Sequence, residues 1–425
     1  MPVKKIKVSN FKVFDNLEIE LNDFNVLIGA NASGKSSFIE IFNFLRNIIE
    51  SGLENAISLE GGVEYLKNIK LENEIPVSLE IVIEPFFNRE QKFKDNGDIL
   101  YRRLTEIKYS FSLLLSDELD DSQYNYRIIK DNLEINFIYY NRNSNGSKTS
   151  RGEVKIQLEI KDECPEIKIE ENDLNIPEDL KLTGDKILPV FFREMKLSRH
   201  KLILETPLAE IIEPSLRDFI KGISIYDINP GLPKKAAPVT GKSELEENAS
   251  NLSLVLKNIL DNKNKRRQFT NILKDILPFV EEIDVEKYPD RSLLLKLRET
   301  YNKNNFIPAS LISDGTINIT ALIVALYFEE DNLAIIEEPE RNIHPHLISK
   351  MVEMVSDASR KKQIIITTHN PEMIKYIDLE HLYLIHRAKN GFSFITKPAE
   401  KEEIKVFLNN DMGIDELYIQ NLLEV

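Results

Sequence analysis

The residues Gly29-Ala30-Asn31-Ala32-Ser33-Gly34-Lys35-Ser36 match the pattern G-x-x-x-x-G-K-[ST], in which each residue type has a physical task. Glycines let backbone N–H groups turn inward around phosphate oxygens, and a helix starting at the lysine adds the positive end of its dipole. On this pattern Lys35 would contact the β- and γ-phosphates of ATP, and the Ser36 hydroxyl would ligate Mg²⁺. Gly29, Ala30, Asn31, Ala32, Ser33, Gly34, Lys35 and Ser36, with Ser37 after them, form the candidate nucleotide-binding stretch.

Three more groups have the residue types that phosphate chemistry needs. Leu333-Ala334-Ile335-Ile336 is an apolar run that delivers Glu337-Glu338-Pro339-Glu340 at its end. It resembles a Walker B motif, with Glu337 serving Mg²⁺ and Glu338 as the carboxylate that positions or activates the attacking water. Alone, such a pair is an ordinary solvated strand end; behind a phosphate loop it means more. Thr367-Thr368-His369-Asn370-Pro371 follows another apolar run and resembles the switch histidine of ABC ATPases, which makes His369 a catalytic candidate.

Leu311-Ile312-Ser313-Asp314-Gly315-Thr316 precedes an apolar helical stretch and resembles a variant ABC signature. In that reading Ser313 and Gly315 bind the γ-phosphate held by an opposite subunit, using the field of a helix N-terminus. The local reading is a Ser N-cap with Asp and Gly for the turn, and both readings stand. His344 and His346 invite a metal reading, but no third ligand accompanies them and Pro345 marks a turn.

The elements that must position these groups are legible as periodicities. Ile6–Phe14 and Leu17–Leu21 read as short alternating strands, Phe24–Ile28 as a buried strand, and Phe38–Ile49 as a helix with one apolar face. From Ile75 to about Ile169 the period is two, which predicts an antiparallel sheet. After Pro189 amphipathic helices are expected near Leu208–Ile223, interrupted at Pro214, then at Leu252–Leu260 and Phe269–Val280. No heptad run is long enough for a coiled-coil arm. From about Pro308 onward helices alternate with the apolar strands Leu333–Ile336, Gln363–Thr367 and His381–Ile385, the pattern of a parallel sheet.

The expected fold class is therefore α/β, a P-loop NTPase of ABC/RecF-like type with an antiparallel β lobe and a helical insertion. The expected division is 1–72 and 306–425 for the two parts of the ATPase head, 73–187 for the β lobe and 188–305 for a mostly helical insertion. The 425 residues are 42% apolar, enough for a sizeable core. Cys164 is the single cysteine, which leaves no intrachain disulfide or cysteine metal cluster and predicts a reducing, cytoplasmic setting. No apolar run reaches the roughly 18 residues that span a bilayer, so no membrane association is expected. The net charge of −15 argues against a chain that simply coats nucleic acid. Lys263, Lys265, Arg266, Arg267, Lys234 and Lys235 remain as candidate local contacts for DNA.

With these four elements in this order, the chain resembles the OLD-related, RecF- and SMC-like predicted ATPases, over nearly its whole length. Ser9-Asn10-Phe11-Lys12-Val13-Phe14 is similar to that family's NFRSF-type start. Gly61-Gly62-Val63-Glu64-Tyr65-Leu66, Asn251-Leu252-Ser253-Leu254-Val255-Leu256 and Glu337–Glu340 ahead of His344-Pro345 are similar as well. The resemblance implies an ATP- and Mg²⁺-dependent head that dimerises, or assembles further, with ATP between signature and P-loop, and it adds Lys12 to the nucleotide-binding candidates. Lys12 replaces the usual Arg, whose planar fork it lacks, and Ala32 stands where relatives often carry Gly. The stretch after His369 is too short for a TOPRIM nuclease domain, so any nuclease is expected as a separate effector protein.

The leading functional expectation is an ATPase whose cycle closes a dimer, coupled to DNA repair or anti-phage defence. A nucleotide-dependent scaffold that holds an effector with little turnover is the alternative. The ATPase subunit of a membrane transporter is a third reading, disfavoured because residues 61–308 do not resemble transporter helical domains.

Overall fold

The computed structural model describes residues 2–71, 75–85, 90–95, 98–116, 124–143, 146–302, 304–402, 404 and 413–420. The chain divides into two compact units. One comprises Met1–Asn22, Ser36–Gly222 and Arg387–Phe394; the other comprises Asp23–Lys35, Ile223–His386 and Ile395–Val425.

The second unit is built on parallel strands. Leu333–Glu337, Gln363–Thr368 and Phe24–Ile28 are nearly continuous apolar runs because both of their faces are buried. Their order is Ile223–Tyr226, Leu333–Glu337, Gln363–Thr368, Phe24–Ile28, Leu382–Arg387, every pair parallel. The helix Asp314–Tyr327 is buried from Thr316 to Leu326, which explains why it is apolar on all sides. Helices Leu252–Asp261, Lys263–Ile276 and Ile348–Ser359 add apolar faces to the same core.

The amino ends of three of these strands are tied by buried polar groups. Lys362 Nζ, almost fully buried, donates to Ala325 O at 2.7 Å, Glu329 O at 3.0 Å and Asp331 Oδ2 at 3.2 Å. Asp331 also accepts from Ser224 Oγ at 2.6 Å and Tyr226 OH at 2.9 Å. Such a charge is tolerable in an interior only because its hydrogen bonds are filled.

The first unit is an antiparallel sheet in the order Phe14–Glu20, Val3–Phe11, Val77–Ile83, Asp98–Leu115, Tyr126–Arg142, Lys148–Lys161, Cys164–Asn172, with Glu90–Asp95 on Asp98–Leu115. Its strands alternate because only one face meets a core. The helix that starts at Lys35 contributes Ser36–Ser51 to this unit, and its Phe44 ring lies 5.9 Å from Phe11 and 6.4 Å from Phe111. Pro207–Ile212 and Pro214–Lys221 form two helices, each with its proline in the first turn, where a missing N–H costs nothing.

The expected segment boundaries differ from this arrangement. Residues 188–305 are not a separate, mostly helical insertion: the helices before Gly222 belong to the first unit, and Ile223–Tyr226 is a strand of the parallel sheet. Val280–Lys287 and Ser292–Glu299 form an antiparallel hairpin where the helical reading ended at Val280. Residues 1–22, expected with the head, pair into the antiparallel sheet. Of the expected segment 306–425, residues 403, 405–412 and 421–425 lie outside the described residues. Among the described residues, no helix is long and apolar enough to cross a membrane.

Glu329 gives a pH test of the second unit. Burial, with help from the neighbouring Asp331 and Glu244, pushes its carboxyl up to about 7, against the Leu245 N–H that donates to it at 3.0 Å. The folded value lies above the unfolded one, so this group's contribution is fully present at acid pH and is lost as pH rises through about 7. Glu329→Gln should therefore gain on the wild type between pH 5 and pH 8, by about 1–3 kcal/mol in urea denaturation. A constant difference across that range would refute the assignment.

Candidate nucleotide site

The phosphate loop leaves the carboxyl end of Phe24–Ile28. A side-chain carbon at Gly29 would stand 2.3 Å from Ile385 O and 2.7 Å from Ser33 Oγ, so only glycine fits. Gly34 has φ +116° and Ala32 has φ +62°. An alanine in the left-handed region costs roughly 1–2 kcal/mol. Lys35 Nζ donates to Gly29 O at 2.6 Å and Ala30 O at 3.0 Å, folding the ammonium back over its own loop. Burial lowers its pKa, against the opposing pull of Glu338, Glu340 and Glu337.

The strand register brings the other groups to this edge. Glu337 is opposite Thr367, and Thr368 is opposite Ile28. Past Glu337 the chain turns sharply, with Glu338 at φ +42° and its N–H donated to Thr367 O at 2.9 Å. That backbone directs Glu338 toward His369, whose Nδ1–H donates to Glu338 Oε1 at 2.6 Å. Arg341 Nη2 donates to Glu338 Oε2 at 3.2 Å and its Nη1 to Asp227 Oδ1 at 2.9 Å. Burial alone would raise the Glu338 carboxyl, but His369 and Arg341 outweigh it and hold the group below the usual carboxylate range. Glu337 is half-buried at the strand end.

The signature residues adopt the local reading. Ser313 caps the helix Asp314–Tyr327, its Oγ accepting from Thr316 N at 3.2 Å and lying 2.7 Å from Thr316 Oγ1, while the residue stays exposed. Gly315 is required by a close approach, since a side-chain carbon there would stand 2.5 Å from Asn342 O. Asn318 Nδ2 donates to Arg341 O, a second tie between this helix and the turn after Glu338. These ties, with Arg341 and Asp227, escaped the sequence reading. A cation directly after an acidic run was the one available signal, whereas Asp227 is too distant along the chain for any pattern to link it.

Lys12, the nucleotide-binding candidate that family resemblance adds, has two acidic partners. Its Nζ pairs with Glu60 at 2.6 Å and Glu40 at 3.0 Å within the first unit. Burial works against the charge, but the two carboxylates outweigh it and raise the Lys12 pKa. The three side chains line a cavity of about 580 Å³ that also includes Ser37, Tyr65 and Arg387. Of the basic candidates for DNA, Lys234 pairs with Asp314 and Arg266 with Glu282 at 3.0 Å. His344 and His346 pack on each other, Nδ1 to Nδ1 at 2.7 Å, on an exposed turn.

The donor set fits a magnesium nucleotide. A glycine-built loop with an ammonium folded over it, and three carboxylates close enough to act on that ammonium, offers the charges that phosphates and a hard cation need. A parallel sheet with this loop at the carboxyl end of one strand and the acidic residues at the end of another defines a P-loop nucleotide-binding protein. The profile of the AAA ATPase domain matches residues 1–374, and the chain belongs to that family.

Solved structures with similar folds include an SMC head bound to the C-terminal winged-helix domain of ScpA, at 14% identity and TM-score 0.48, covering 93% of this chain and 98% of that one. The SMC head domain from Thermotoga maritima matches at 14% identity and TM-score 0.41, covering 93% and 99%. The Pyrococcus furiosus SMC head, with an extended coiled coil and bound to the C-terminal domain of ScpA, matches at 12% identity and TM-score 0.44, covering 96% and 99%. No curated protein matches the chain.

Gly315→Ala tests the contact between the signature helix and the acidic turn. The added carbon must displace backbone at Asn342, so the variant should lose about 1–3 kcal/mol in chemical denaturation. An unchanged midpoint would mean that the close approach does not exist.

Proposed function

We propose that the protein binds ATP with Mg²⁺ and hydrolyses it. The observation that carries this reading is the contact between Glu338 and His369 at the ends of adjacent parallel strands, on the edge from which the phosphate loop also leaves. Lys35 releases its loop carbonyls to meet the β- and γ-phosphates. Bound Mg²⁺ would neutralise charge on those phosphates, with Ser36 and Glu337 as the residues that would hold it. Glu338 accepts a hydrogen bond from the attacking water and orients it, while His369, donating through Nδ1, keeps Nε2 for a second contact.

A second copy of the chain meeting Ser313 is part of the proposal. The exposed Ser313 at a helix start and the three-quarters-exposed Leu311 just before it support this. The link to DNA repair or anti-phage defence rests on family resemblance alone. One observation favours the low-turnover scaffold: both Glu338 oxygens are already engaged, by His369 and Arg341, so an attacking water must compete for this carboxylate.

Lys35→Ala should lower kcat/KM for ATP about a hundredfold or more, by removing an electrostatic contact to the transferring phosphate. Unchanged ATP affinity and turnover would end the assignment. Glu338→Gln should bind ATP within about threefold of wild type yet lose about a hundredfold in kcat, since it keeps shape but loses basicity. With ATP and Mg²⁺, light scattering on Glu338→Gln should report a dimer that the additional change Ser313→Arg abolishes. A mass independent of Ser313 would remove the dimer from the proposal.

A further inference from the structure

Glu338 and His369 are joined on the exposed side of the site, and a second pair joins the same two strand ends underneath. Glu340 lies two residues beyond Glu338 and is 6% exposed. The left-handed turn at Glu338 is closed by Arg341 N donating to Glu338 O at 3.0 Å, and Ile343 N donates to Glu340 O at 3.0 Å, so Glu340 is carried back beneath the turn. One oxygen of its carboxylate, Oε1, accepts from the Thr368 hydroxyl. Thr368 is fully buried and in turn accepts the Asn370 N–H at 2.9 Å.

His369 is thus flanked on both sides. The residue before it is tied to Glu340, and the residue after it is tied to that same hydroxyl, while Asn370 also caps the next turn by accepting from Glu372 N at 2.9 Å. A carboxyl out of water that accepts a hydroxyl proton makes a stronger bond than an exposed pair would. Burial also raises the Glu340 pKa, with the Thr368 hydrogen bond opposing the rise.

We infer that Glu340 is a positioning residue for hydrolysis: through Thr368 it fixes the backbone that presents His369 to Glu338. This rests on the ATPase reading given above. It differs from the roles of Glu337 and Glu338 in that Glu340 touches neither the phosphates nor the attacking water. The buried pair sets the separation of the two strand ends, and the exposed pair uses it.

The test uses the full-length chain and compares Glu340→Ala, Glu340→Gln, Thr368→Val and Thr368→Ser. Gln and Ser each keep the bond between the strand ends, whereas Ala and Val each remove one side of it. Thr368→Val and Glu340→Ala should lower kcat about tenfold or more, as small displacements of catalytic groups do, with KM for ATP within about twofold. Thr368→Ser and Glu340→Gln should stay within about threefold of wild type. The double variant Glu340→Ala/Thr368→Val should lose no more than the worse single variant, because both cut the same link.

Amide hydrogen exchange supplies a readout that does not need turnover. Exchange at Asn370 should accelerate in Glu340→Ala and remain slow in Glu340→Gln. Wild-type kcat in both Thr368→Val and Glu340→Ala, losses that multiply in the double variant, an effect on KM alone, or unchanged Asn370 exchange would each overturn the inference. If the wild type shows no Lys35-dependent turnover, the ATPase reading fails instead, and the exchange experiment still decides whether Glu340 holds the His369 backbone.

Discussion

The chemistry of the second unit depends on the register of three parallel strands. With Glu337 beside Thr367 and Thr368 beside Ile28, the carboxyl ends of the three strands fall in line, and the chain leaves each end within reach of the next. Parallel strands cannot be joined by a hairpin, so these segments come from distant parts of the sequence and meet only through crossovers. A slip of one residue would turn each side chain to the opposite face. With both faces buried, as at Ile335, Ile336, Ile365 and Ile366, apolar burial does not distinguish the two faces, and the ties at the strand ends, Lys362 to Asp331 and Glu338 N to Thr367 O, are the register-specific contacts.

At this edge the backbone holds strained conformations that ordinary packing would relax. Ala32, Glu338 and Asn342 all have left-handed φ values. Such residues cost on the order of 1–3 kcal/mol each and survive where the surroundings over-determine them. Here the surroundings are visible: Ser33 N bonds back to Ala30 O, Glu338 N is fixed to Thr367 O, and Asn342 presses its carbonyl against Gly315. Strain and support together keep Glu338 turned toward His369 rather than out into solvent.

Charge is distributed so that the site is preorganised yet restrained. Lys35 rests on its own loop carbonyls, and Glu338 rests between His369 and Arg341. In the proposed reaction both contacts would be exchanged for contacts to the nucleotide, and an exchange of hydrogen bonds within a desolvated site costs less than making them from water. In the first unit, Lys12 is comparably committed, to Glu40 and Glu60, which its position in an NFRSF-type start did not reveal.

Sequence alone determined the glycine-lysine loop between a buried strand and a helix, the apolar strands that lead to Glu337 and to His369, and the alternation that announces an antiparallel sheet, because each is local: the spacing of residue types within one segment is the signal. It also contained the Ser313 cap, although that reading could not be separated from the signature reading. Only the tertiary structure decided that Ile223–Tyr226 joins the parallel sheet, that Gly315 meets Asn342, that Arg341 bridges Asp227 to Glu338, and that Glu340 is buried against Thr368. Those facts depend on which segments lie side by side, and a four-residue strand or one glutamate in an acidic run has no periodicity of its own. Its partner across the fold is chosen by burial and register, which act between segments rather than within them.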